Sequence, residues 1–80
     1  MIEVKVKQLL AMVLDIPEAE LSNESSMDSV ESWDSLSQMN FVICLEEEFE
    51  IVIPDSEIQN MISLKLVSLL IKELVDSPQS

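Results

Sequence analysis

The chain has 80 residues and sets 16 acidic side chains against 4 lysines, with no arginine or histidine, for a formal net charge of −12. That length allows one small core and so one domain, and a 48% hydrophobic fraction separates it from a disordered acidic tail. The lack of glycine excludes a glycine-rich phosphate loop, the lack of histidine removes the usual general base and commonest metal ligand, and the lone Cys44 excludes an internal disulfide or a cysteine zinc site.

Residues 1–15 predict a helix, because Ile2, Val6, Leu9, Leu10, Val13 and Leu14 recur at spacings of three and four. Charges at every second position of Met1-Ile2-Glu3-Val4-Lys5 argue against a signal peptide or a membrane span. Pro17 ends the helix, and Ile16 before it is biased away from helical geometry. Residues 18–34 carry no period. They read as a long loop rich in Ser, Asp and Glu, pinned to the core by Leu21, Met27, Val30 and Trp33.

A second helix is predicted from Ser35 to Glu50, with Asp34 and Ser35 both able to cap its free N–H groups. Glu46, Glu47, Glu48 and Glu50 gather at its end, where the helix dipole disfavours them, so they serve something other than stability. Ile51-Val52-Ile53 connects to Pro54, which starts a short third helix over residues 55–61 with Ile58 facing inward. Ser63 caps a fourth helix running to Val75, with Leu64, Val67, Ile71 and Leu74 at helical spacing. Residues 1–76 form a single domain and 77–80 a disordered tail. The fold class is all-α, with three principal helices, one short helix and a long first loop.

The second helix is apolar on two sides. At about 100° per residue, Phe41, Val42, Leu45 and Phe49 fall on one side, while Leu36, Met39 and Ile43 fall nearly opposite, beside Glu47. The aromatic side is the better core stripe. The other is either an apolar contact strip rimmed by Glu46 and Glu47 or a surface covered by the long loop. Gln38 lies on the core side, where it is expected to be half-buried and bonded to the loop. At the helix start, Asp34-Ser35-Leu36 offers an ordinary cap, or a hydroxyl that an enzyme can reach and whose phosphodiester the helix dipole favours. Trp33 reads as a loop anchor or a contact residue, and Cys44 as a packing thiol.

Three blocks in order, Trp33 to Phe41, Leu45-Glu46-Glu47-Glu48-Phe49 and Ile53-Pro54-Asp55, resemble the acyl carrier protein family. The resemblance implies a small acidic four-helix bundle whose Asp-Ser-Leu serine bears 4′-phosphopantetheine, with acyl groups carried as thioesters on its thiol. Carried over, Ser35 is the attachment site and Asp34 and Leu36 are the motif flanks. Leu36, Met39, Ile43, Glu46 and Glu47 are the partner-binding positions. It also implies a monomeric, cytoplasmic protein that is not an enzyme. Its partners would be a phosphopantetheinyl transferase, an acyl-loading ligase or acyltransferase, and later enzymes with basic patches.

Glu31-Ser32-Trp33 stands where fatty-acid carriers have glycine. That departure looks more like the discrete carriers of specialised biosynthesis. Two alternatives stay open: an aminoacyl or peptidyl carrier, and an acidic helical adaptor that is never modified. A calcium loop over Asp28–Asp34 lacks the glycine its turn requires. The acidic surface disfavours nucleic acid and favours basic protein partners.

Overall fold

Four helices form in chain order: α1 (Ile2–Leu14), α2 (Ser35–Phe49), α3 (Asp55–Ile58) and α4 (Leu64–Asp76). The computed structural model describes residues 2–22 and 24–76, so the tail predicted over 77–80 lies outside the described residues. Helix α1 packs against both α2 and α4. The core between them holds Val6, Leu10 and Leu14 of α1, Phe41 and Leu45 of α2, and Leu64, Val67 and Ile71 of α4. Trp33 from the long loop and Met61 from the α3–α4 connection complete it. The predicted stripes of α1 and α4 are therefore the buried ones, and Ala11 of α1 joins them.

Helix α1 stops earlier than its proline. The Ile16 N–H donates to the Ala11 carbonyl (3.1 Å) and the Asp15 N–H to that of Met12 (3.3 Å), with Asp15 left-handed at φ 57°. These two bonds make a Schellman closure, which satisfies carbonyls the helix leaves free. Helix α2 ends in the same manner. Glu50 takes φ 54° and ψ 50°, and the Ile51 N–H reaches the Glu46 carbonyl at 3.2 Å. Such positions normally belong to glycine, which this chain lacks. Aspartate tolerates the conformation through its short side chain, whereas glutamate has no such relief. Glu50→Gly is therefore expected to stabilise the fold by about 0.5–1 kcal/mol, the relief of the left-handed cost exceeding the added freedom of the unfolded chain. A higher urea midpoint at unchanged slope is the expected reading.

The long loop is ordered by its serines. The Ser22 N–H donates to Ser25 Oγ (2.9 Å), the Glu24 N–H to Ser22 Oγ (3.2 Å) and the Ser26 N–H to Ser29 Oγ (2.9 Å), so hydroxyls supply the acceptors that a helix would have provided. A short two-bond bridge then fastens the loop to the start of α4. The Met27 N–H donates to the Ile62 carbonyl (3.0 Å) and the Leu64 N–H to that of Ser25 (2.9 Å). All four predicted anchors pack on the core, with Leu21 and Trp33 fully buried and Met27 and Val30 partly so. Two details depart from expectation. Residues Glu18–Glu20 form a single 3₁₀ turn inside the loop. Helix α3 closes at Ile58, short of Met61, because its next N–H groups bond three residues back: Asn60 to Glu57 (2.9 Å) and Met61 to Ile58 (3.1 Å).

Helix α4 begins as predicted, with Ser63 Oγ accepting from the Leu66 N–H at 3.2 Å. Two surface ion pairs, Lys5–Glu48 and Lys72–Glu3, tie α1 to α2 and to α4. Exposed pairs of this kind add little stability.

Candidate functional site

The start of α2 is held from both sides, and its exposed residues stand on a buried base. Asp34 is the cap: its backbone is extended and its Oδ1 accepts from the Ser37 N–H at 2.9 Å. That N–H holds the Asp34 carboxyl below its ordinary value of 3.8. Ser35 does not share the capping duty that the sequence allowed it. It occupies the first helical position with an exposed side chain, so its hydroxyl is left over.

Because the folded carboxyl titrates below the unfolded one, the cap stabilises fully above the unfolded value and is lost as pH falls through the folded one. Acidification below pH 3.8 is expected to fray the first turn of α2, read as faster amide exchange at Ser37. In Asp34→Asn, which keeps an acceptor but does not titrate, that acid step should vanish.

Beneath the cap, Trp33 is 1% exposed and Gln38 5%. The Trp33 indole N–H donates to Gln38 Oε1 at 2.7 Å, and Gln38 Nε2 donates to the Met61 carbonyl at 3.0 Å and, more weakly, to that of Ile58 at 3.4 Å. Gln38 thus joins the residue before the cap, its own helix and the end of α3. The Trp33 ring also meets Phe41 edge-on, with centroids 6.1 Å apart and planes at 85°. Trp33 is therefore an anchor, and contact with a ligand or partner would require it to leave the core.

On the opposite side of α2, Leu36 is 74% exposed, Met39 49% and Ile43 51%, with Glu47 exposed in line with them. The loop does not cover Leu36 or Met39. The structure thus brings four of the five predicted contact residues onto one open strip that begins beside Ser35. Glu46 differs: half-buried, its Oε2 accepts from the Ile53 N–H at 2.8 Å and fixes the connector after α2. That duty has no mark in the residue order, since the partner lies seven residues on in an irregular segment.

Cys44 is partly buried against the core, as expected of a packing thiol. Phe41 and Leu45 are completely closed to solvent, so a chain held against them requires the core to open. Among the described residues no three acidic or cysteine side chains gather as a metal site, and no helix is long and apolar enough to cross a membrane.

An exposed hydroxyl at the positive end of a well-fixed helix can take a phosphodiester, whose charge the free N–H groups favour. Residues 4–71 match the phosphopantetheine attachment site family. An acyl carrier protein from Buchnera aphidicola subsp. Baizongia pistaciae (strain Bp) is 35% identical over 74 residues, covering 92% of this chain and 95% of that one. The fold is also similar to the solution structure of holo acyl carrier protein from Geobacter metallireducens, with a TM-score of 0.83 at 24% identity over 94% of this chain and 86% of that one. A match spanning residues 4–71 and a relative aligned over nearly the whole of both lengths place the chain in the acyl carrier protein family, whose cofactor is covalently attached 4′-phosphopantetheine.

Proposed function

We propose that Ser35 carries the phosphopantetheine arm and that the strip Leu36, Met39, Ile43 and Glu47, with Glu46 at its edge, receives the partner enzymes. One observation carries this reading: Asp34 caps α2, leaving Ser35 exposed and its hydroxyl unspent at the helix start. The arm supplies a thiol on which acyl groups travel as thioesters. This chain's own residues do the rest without catalysing a reaction. Asp34 and the buried Trp33–Gln38 pair hold the serine at a fixed place, and Leu36 begins the surface that a phosphopantetheinyl transferase must cover to reach it.

Tethering raises the effective concentration of cargo at each enzyme, so recognition can be brief. A narrow apolar strip beside an acid suits that, with charge steering approach to basic patches on an acyl-loading ligase, an acyltransferase or a later enzyme. Glu47→Lys is expected to slow transfer to such partners several-fold at low salt while leaving the fold intact. Equal rates for both proteins at low ionic strength would count against the strip. The Glu31-Ser32-Trp33 segment, in place of glycine, favours a role in specialised biosynthesis over housekeeping fatty-acid synthesis.

The test of the attachment reading is intact mass after incubation of the apo-protein with coenzyme A and a broad-specificity transferase. A gain of one phosphopantetheine in the native chain and none in Ser35→Ala is expected. A gain in both would move the site, and a gain in neither, from folded protein with active transferase, would leave an unmodified adaptor.

A further inference from the structure

Helix α4, like α2, is apolar on two sides. Leu64, Val67 and Ile71 are buried in the core. At about 100° per residue, Leu66 and Leu69 fall nearly opposite them, 44% and 51% exposed. These two do not stand alone. With half-buried Leu70 and the enclosed Met61 they line a groove of about 180 Å³ between α4 and the end of α3. Single surface leucines need no explanation, whereas several around one hollow mark a contact surface.

The remaining walls are polar, with Glu57 and Asn60 on the α3 side and Glu73 on α4. The ion pairs among the described residues engage Glu48 and Glu3, so neither groove carboxylate is neutralised. An apolar hollow between two unpaired acids complements an apolar side chain flanked by cations. A second copy of this chain is a poor occupant, since two molecules of net charge −12 repel one another. Size narrows the choice further. A cavity of about 150 Å³ lined by such side chains holds one benzene ring, so this groove admits a single leucine or phenylalanine side chain.

We propose that the groove is a second docking surface, for a basic amphipathic helix of a partner protein. One leucine or phenylalanine of that helix enters between Leu66 and Leu69, and flanking lysines or arginines pair with Glu57 and Glu73. No wall of the groove belongs to α2, so the side chain that fills it covers neither Ser35 nor the strip beside it. A partner anchored here keeps the carrier close while the strip on α2 engages an enzyme, which raises the effective concentration of one for the other.

The test is an NMR titration of the ¹⁵N-labelled full chain with a capped helical peptide bearing leucine and phenylalanine on one face and lysine on the other. A scrambled peptide and one with glutamate in place of lysine serve as controls. Saturable shifts over residues 57–73 are expected with the lysine peptide alone. Leu69→Ser, a change at an exposed position that keeps the fold, should weaken this response about five- to tenfold. Glu57→Gln with Glu73→Gln should weaken it several-fold and remove most of its salt dependence, while Glu47→Lys on α2 leaves it unchanged. Shifts confined to α2, shifts that do not saturate, an equal response to either control peptide, or a response unchanged in Leu69→Ser would each overturn the proposal. Concentration-dependent shifts on this face without peptide would give it to a second copy instead and overturn it too.

Discussion

Gln38→Ala is expected to cost about 2–4 kcal/mol of folding stability, because it strands the Trp33 indole N–H and the Met61 carbonyl, each a buried group whose loss of partner costs about 1–3 kcal/mol. Both bonds are short, 2.7 and 3.0 Å, whereas the third, to Ile58 at 3.4 Å, adds little. A domain of this length has a total stability of roughly 4–12 kcal/mol, at about 0.05–0.15 kcal/mol per residue. The loss is therefore a large share of the whole, and a fall in Tm of more than about 10 °C follows. Gln38→Leu should do no better despite its similar size, since it also leaves both partners unpaired. A loss below about 0.5 kcal/mol in either variant, read from urea midpoints, would show that the network relaxes onto other partners or water.

Trp33→Ala should cost about 3–5 kcal/mol, the range for deleting a large buried aromatic and leaving a cavity. Its ring fills the space between the long loop and α2, in edge contact with Phe41, and the same change strands Gln38 Oε1. Trp33→Phe separates the two effects, keeping most of the packing while removing the N–H. Because Trp33 and Gln38 are bonded to one another, their losses should not add. A double-mutant cycle of Trp33→Phe with Gln38→Leu should give a coupling of about 0.5–3 kcal/mol, where independent residues would give nearly none. The consequence reaches function, since Trp33 directly precedes the cap. Loosening it lets the first turn of α2 fray, so a folded Trp33→Phe variant should be modified more slowly than the parent under equal transferase.

Helix positions were legible where local chemistry decides them. Asp34 and Ser63 start α2 and α4 because their side chains accept from N–H groups three residues on, a rule read directly from residue order. The two faces of α2 were legible too, since one helix in so small a domain cannot bury both Phe41 and Leu36. The ordering of the loop was not. Its bonds run through serine hydroxyls and through the bridge between Ser26 and Ser63, a pairing 37 residues apart that leaves no period in the sequence. The left-handed caps at Asp15 and Glu50 were hidden because the usual glycine marker is missing. For the same reason Glu46 read as one more surface acid: an acceptor for an irregular connector has no signature beyond its charge. Ser68 is equally unmarked, since a serine among leucines in a helix has the pattern of a small packing residue and only the folded structure leaves its buried hydroxyl without a partner.

The most direct test of the account is to locate the group on the loaded protein. Ser32, Ser35 and Ser37 lie within six residues of one another, so intact mass alone does not choose among them. Proteolysis of the transferase-treated chain followed by fragment mass analysis should place a single phosphopantetheine on Ser35, with Ser32 and Ser37 unmodified. The group on either neighbour, or on any serine away from the start of α2, would contradict the role assigned to the Asp34 cap and the hydroxyl it leaves free.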